Sequence, residues 1–234
     1  MFEHKRIMIV VAHPDDELLG LGATMHKLIR EEGIITRVVI LGEGITSRAD
    51  ARDVEHWKSE LKKHKQNIEL ARAAIGYNEV KAYDFPDNRF DTVPLLDIIK
   101  VVEKEKKEFD PEVIFTHHGG DLNIDHRRTF EAVITACRPM EKEPVKAIFT
   151  FETPSGTEWR ASTDPHAFIP NYFISVSERD VEAKVAGMES YDYEKRQYPH
   201  PRSAQALRIL AQRNGIIVGK LYAEAFHLVR TIFD

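Results

Sequence analysis

The sequence predicts an α/β fold, a Rossmann-like, mostly parallel sheet with helices on both faces. Three observations carry that expectation. Short apolar runs rich in β-branched residues alternate with segments of helical periodicity. The polar, chemistry-bearing loops follow those runs, as they do where ligands bind beyond the carboxyl ends of parallel strands. No repeat or low-complexity linker interrupts the order, so a single domain over residues 1–234 is expected.

Taken in order, Lys5–Ala12 (KRIMIVVA) is a buried strand because it is continuously apolar. Leu18, Gly22, Met25 and Ile29 then recur on one helical face, to about Gly33. Ile34–Leu41 is a second strand, and the polar segment Gly42–Asp53 is too long for a simple turn. Trp57, Leu61, Ile68, Ala71 and Ile75 mark a helix ending at Gly76. Val80–Phe85 is a third strand, and Pro94 opens a helix over Leu95–Glu108, whose EKEKKE run is a solvated face. Val113–Thr116 is a fourth strand, followed by the loop HHGGDLNIDHRR and a helix from near Asp125. Val145–Phe151 and Tyr172–Val176 are later strands. Helices at about Glu178–Tyr191 and Arg202–Asn214 precede an apolar stretch to Ile232.

Composition narrows the class. The net charge of −5 provides no concentrated basic surface for phosphates, which argues against a general nucleic-acid binder. With 42% hydrophobic residues the chain can bury a sizeable core. No apolar run approaches the roughly 20 residues of a membrane span, and the N-terminus lacks the pattern of a signal peptide. The lone Cys137 rules out an internal disulfide and suits a reducing compartment, so a cytoplasmic protein is expected.

Four predicted strand ends carry the chemistry. His13-Pro14-Asp15-Asp16-Glu17 follows the first, Gly42-Glu43-Gly44 the second, Pro86-Asp87-Asn88-Arg89 the third, and His117, His118, Asp121, Asn123, Asp125 and His126 the fourth. One Asp at a helix start would be read as an N-cap. Two Asp, a Glu and a preceding His exceed what a cap needs, and their mutual repulsion calls for a cation or a proton. His13, Asp16 and His126 would give a divalent ion three protein ligands and an open position, the arrangement of a catalytic zinc site. Asp15, beside a ligand but free of the metal, could take a proton from water. Asp125 could accept a hydrogen bond from a neighbouring imidazole. Of His117 and His118, one should point inward, as a satisfied core residue or as a further ligand.

AHPDDE after the first strand, LGEG after the second and the later DxNxDH resemble the PIG-L/LmbE family of zinc-dependent de-N-acetylases. FPDNR, HHGGDLNIDHR, the TEW triplet, YPHPRS and the terminal AEAF extend the likeness over nearly the whole chain. The resemblance implies an LmbE-like fold with zinc held by His13, Asp16 and His126. It also implies Asp15 as general base, Asp125 as the acid preceding the last ligand, and Glu43 as a substrate contact. Many members carry a His three positions before the last ligand, where this chain has Asn123. Asn123 could donate to an oxyanion but cannot deliver a proton at neutral pH. His200 is the candidate replacement acid.

Arg48, Arg89, Arg160 and Arg202 are read as cations in loops. Arg89 and Arg202 are the substrate-binding candidates, since a guanidinium suits a phosphate or carboxylate. Trp159 could stack on a sugar face.

The expected function is removal of the N-acetyl group from an N-acetylated amino sugar, of N-acetylglucosamine type, by metal-activated water. One Zn2+ is expected per chain, although a His/His/Asp set also suits Fe2+. The partner is a small-molecule substrate, with no nucleic acid, and the family likeness implies a homo-oligomer. The alternatives are an amidase of another sugar conjugate, a metal-dependent phosphoesterase, or a nucleotide- or sugar-binding module suggested weakly by Gly20 and Gly22.

Overall fold

The computed structural model describes residue 2, residues 5–161 and residues 163–232. In chain order these form β1 (Arg6–Val11), α1 (Asp16–Glu32), β2 (Ile35–Gly42), α2 (Lys58–Ile75) and β3 (Glu79–Phe85). Then come α3 (Leu95–Phe109), β4 (Val113–His117), α4 (Ile124–Ala136), β5 (Ala147–Phe151) and β6 (Tyr172–Val176). The described chain closes with α5 (Glu178–Glu189), α6 (Ala204–Ile217) and β7 (Tyr222–Thr231). The strands make one sheet in the order β3-β2-β1-β4-β5-β7-β6. β1 to β5 run parallel, whereas β7 is antiparallel to both β5 and β6.

Alternation along the central strands divides the core into two layers. Ile7, Ile9, Val11, Val38 and Phe115 face α1, α2, α5 and α6, while Met8, Val10, Val39 and Ile114 face α3 and α4. Both sheet faces are therefore covered, as the apolar runs predict. Among the described residues no helix is long and apolar enough to cross a membrane.

The C-terminal apolar stretch corrects the sequence reading. It is a ten-residue strand, β7, inserted between β5 and β6. A buried glutamate in its inward-facing half, Glu224, disguises the pattern. That residue explains a second local feature, a break in α1 at Leu21 (φ −153°, ψ 15°). Lys184 of α5 donates to the freed Leu19 carbonyl (2.9 Å) and to Glu224 Oε1 (2.6 Å). Glu224 Oε2 accepts the Thr24 N–H at 2.7 Å, on the far side of the break. One buried ion pair thus caps both halves of a broken helix, where uncapped groups would cost a hydrogen bond each.

Strand order reverses between β1 and β4, so the loops leaving those two strands diverge and open a crevice, the usual ligand site of such sheets. His13 lies just past the end of β1 and His117 ends β4.

Losing Lys184 would leave Glu224 buried and unpaired. Lys184→Met should lower stability by about 3 kcal/mol or more, read from urea unfolding midpoints. A loss under about 1 kcal/mol would show that the pair does not hold α1 together.

Candidate active site

The site begins with a backbone distortion. Asp15, which precedes α1, has φ 102° and ψ −28°, a left-handed conformation that costs a non-glycine residue on the order of 1–3 kcal/mol. Its side chain makes no capping hydrogen bond, so the N-cap reading fails for Asp15. Instead the carboxylate is buried, and Oδ2 accepts from Arg202 Nη1 at 3.0 Å. Burial pushes the Asp15 carboxyl well above its usual range, with Arg202 opposing.

Asp16, the next residue, turns toward the crevice. Its Oδ2 accepts the His13 N–H at 2.8 Å and lies 3.5 Å from His13 Nδ1 and 3.4 Å from His126 Nε2. Burial would raise the Asp16 carboxyl, but His126 and His117 together outweigh it and hold it well below the ordinary value. His126 is buried, which alone would lower its pKa, yet Asp16 and Asp121 lift it to about 9.

Each of these two imidazoles is backed by a carboxylate. His13 Nε2 is hydrogen-bonded to Asp125 Oδ2 at 2.8 Å, and His126 Nδ1 lies 3.2 Å from Asp121 Oδ2. Asp125 is fully buried and is held in turn by the N–H groups of Asn88 (2.6 Å) and Phe90 (2.9 Å). Asp121 accepts from the Asn123 N–H at 2.8 Å and from the Thr157 hydroxyl. His117 is the inward-pointing member of its pair. Its Nε2 accepts the Ala12 N–H (2.9 Å), so the proton sits on Nδ1, facing Thr153 Oγ1 at 3.0 Å. Burial lowers it to about 4, and its ring stacks on His126 with centroids 3.9 Å apart. The 3.3 Å approach of His117 Nε2 to Asp16 Oδ2 is therefore a meeting of two acceptors, not a hydrogen bond.

The donor set fits a divalent ion. One ligand atom from each of His13, Asp16 and His126 lies within 4.8 Å of the others. The separations of 3.5 and 3.4 Å match the edge of a tetrahedron with bonds of about 2.1 Å. Asp16 Oδ2 faces a second acceptor, His117 Nε2, so the carboxylate is under-satisfied as it stands.

A cleft of about 260 Å³ opens beside this cluster, lined among others by His13, Asp15, Asp87, Asn88, Asn123, Trp159, Arg196, His200 and Arg202. Trp159 is 55% exposed there and meets His200 edge-on, so it forms part of the cleft wall. His200 Nδ1 accepts the Arg202 N–H at 3.2 Å, leaving Nε2 as the protonated nitrogen of the neutral ring. Partial burial, with Arg202 and Arg196 nearby, lowers its pKa.

Several expectations need correction. Arg89 is exposed and is absent from the cleft lining, because the Pro86–Arg89 turn directs the Asn88 side of the loop inward. Glu43 faces a second cavity of about 350 Å³, where Arg52 (2.8 and 2.9 Å) and Thr46 (2.7 Å) occupy its oxygens. Arg202 is at the cleft but is no free cation, since it is bound to Asp15, Glu194 (2.7 Å) and Ser155 (2.6 Å). Arg48 and Arg160 are likewise paired, with Glu194 and Asp164. Asp125 needs no such correction, for it is hydrogen-bonded to the His13 imidazole and sits behind that ring, outside the cleft lining. Asn123 caps α4, its side chain accepting the Asp125 N–H, and its Nδ2 donates to Asn88 Oδ1 at 2.9 Å. Sequence reasoning assigned no role to Asp87, Glu194, Arg196 or Asp121. For Asp121 a signal existed, because Asp121, Asn123 and Asp125 alternate in DLNID.

Similarity to known proteins identifies the family. Residues 8–137, more than half of the chain, match the PIG-L family model, described as GlcNAc-PI de-N-acetylase. The chain is 28% identical over 194 residues to the uncharacterized deacetylase YaiS of Escherichia coli K12, covering 81% of this chain and 91% of that protein. It is 25% identical over 250 residues to the diacetylchitobiose deacetylase of Thermococcus kodakarensis, covering 98% and 85%. The crystal structure of GalB, a 4-carboxy-2-hydroxymuconate hydratase from Pseudomonas putida KT2440, superposes with a TM-score of 0.74 over 98% of each chain at 18% identity, a likeness of fold alone. The matched stretch contains His13, Asp15, Asp16 and His126, and the chain belongs to the PIG-L family of deacetylases, which are amide hydrolases.

Proposed function

We propose that this protein is a zinc-dependent hydrolase that removes the N-acetyl group from an N-acetylated amino sugar in the cytoplasm. The observation that carries the reading is the meeting of His13, Asp16 and His126 beside a buried Asp15 that caps no helix. The Thermococcus relative's action on diacetylchitobiose supports a sugar substrate. A divalent ion held by the three ligands supplies Lewis acidity toward the amide carbonyl and lowers the pKa of water.

The chain's own residues do the rest. Asp15, through the carboxylate oxygen that Arg202 does not bind, takes the proton of the attacking water as the new C–O bond forms. The proton then passes from Asp15 to the departing nitrogen as the C–N bond breaks, leaving acetate and a free amine. His200 presents a neutral Nε2–H to the cleft, which suits a hydrogen bond to substrate better than delivery of a charge. Asn123 retains one N–H on Nδ2 beyond its bond to Asn88, enough to steady a developing oxyanion. Trp159 offers a face for a sugar ring. Of the guanidinium groups that suggested a phosphoester, Arg89 lies outside the cleft and Arg48 and Arg202 are neutralised by carboxylates, while Arg196 at the cleft contacts backbone carbonyls.

Three outcomes test the reading. Acetate release from a panel of N-acetylated sugars, free and nucleotide-linked, should depend on added zinc and vanish with chelator; no acetate from any of them would remove the sugar deacetylase. Asp15→Asn should retain metal and lose at least about 100-fold in kcat, whereas His13→Ala should lose both. Normal turnover in Asp15→Asn would dismiss it as the base. Asp121→Asn should weaken metal affinity about 10- to 100-fold, measured by competition with a chelating dye, through loss of the carboxylate behind His126. Unchanged affinity would show that Asp121 does not act on the metal.

A further inference from the structure

Asp15 is an awkward base. Its backbone lies in a left-handed conformation, its carboxylate makes no bond to the helix it precedes, and it sits two residues from one metal ligand and next to another. Two groups hold it, one within the HPDDE segment and one far along the chain. Its backbone N–H donates to Glu17 Oε2 (3.0 Å), and its Oδ2 accepts from Arg202 Nη1 (3.0 Å). Both holders are themselves held. Tyr191 Oη donates to Glu17 Oε1 at 2.7 Å, and Glu194 Oε2 accepts from Arg202 Nη1 at 2.7 Å.

The two outer supports belong to one turn of chain just past α5, joined by the Glu194 N–H donating to the Tyr191 carbonyl at 3.0 Å. Tyr191 is fully buried and Glu194 nearly so. Neither is explained by core packing alone, since each spends its polar group on a residue that touches Asp15.

We propose that the Tyr191–Glu194 turn is the positioning element for Asp15, gripping it from two sides. Tyr191 acts through Glu17 on the backbone of Asp15, and Glu194 acts through Arg202 on its carboxylate. Glu194 Oε1 also accepts from Arg48 of the loop after β2 (2.5 Å), so the grip extends to a residue of the cleft rim. Both are positioning residues, because neither touches the cluster of His13, Asp16 and His126. The inference rests on the reading of Asp15 as the base.

The test is steady-state kinetics with metal titration on the full chain, comparing Tyr191→Phe, Glu194→Gln and the double variant with wild type and Asp15→Asn. Tyr191→Phe keeps the ring and Glu194→Gln keeps the shape, so metal affinity should stay close to wild type even where the lost hydrogen bond lowers the melting temperature. Expected is a fall in kcat of about ten-fold or more for each single variant, with KM within about two-fold. The double variant should fall less than the product of the singles, because both act on one group. Glu194→Asp should recover part of the loss. If Asp15→Asn is inactive while both single variants keep wild-type kcat, the positioning role is overturned and the reading of Asp15 survives. If metal affinity falls together with kcat, the turn supports the metal ligands rather than the base, which also overturns it. If Asp15→Asn is fully active, the underlying reading fails instead.

Discussion

Everything at this site turns on one carboxylate oxygen. Asp16 Oδ2 lies within 3.5 Å of His13 Nδ1, His126 Nε2 and His117 Nε2, and it accepts the His13 N–H as well. Around it Asp15, Glu17, Asp87, Asp121 and Asp125 are also buried. Bringing so many acids into low dielectric is unfavourable unless each finds a donor or a cation. Arg202 serves Asp15, backbone N–H groups serve Asp125, and Tyr191 serves Glu17, which burial nonetheless raises to about 7. Asp16 is left facing two imidazole nitrogens at the spacing of metal ligands.

The fold makes that arrangement affordable by dividing the labour. The sheet brings His13 and His117 to adjacent strand ends at the switch between β1 and β4. A break in α1, capped on both sides by Lys184 and Glu224, separates the turn that carries Asp16 and Glu17 from the rest of the helix. His117, fully buried, joins the two halves by accepting the Ala12 N–H and stacking on His126. A neutral ring in that place supports a ligand imidazole without adding charge.

The parallel strands were legible because Val, Ile and Leu runs of this kind have few other uses, and the site was legible where acids and histidines clustered past strand ends. His13, Asp15, Asp16 and His126 come together as the spacing suggests. The rim was harder. Arg89 and Arg202 look alike in sequence, and only tertiary packing turns one outward and ties the other to Asp15. Glu43 follows a strand as the ligand residues do, but Arg52 draws it to a different cavity. β7 was hidden because Glu224 sits at a core position where a pattern reader expects an apolar residue.

Fold alone would not decide the chemistry, since a hydratase shares this architecture. The proposed chemistry rests on the buried Asp15 beside the His13, Asp16 and His126 set, whose two imidazoles are each backed by a carboxylate. The most direct measurement is anomalous diffraction at the zinc edge from crystals grown with zinc. The account expects one principal peak bonded by His13 Nδ1, Asp16 and His126 Nε2, with Asp15 beside it and unbound. A peak held instead by His13, Asp87 and Asp125, or no peak at all, would contradict it.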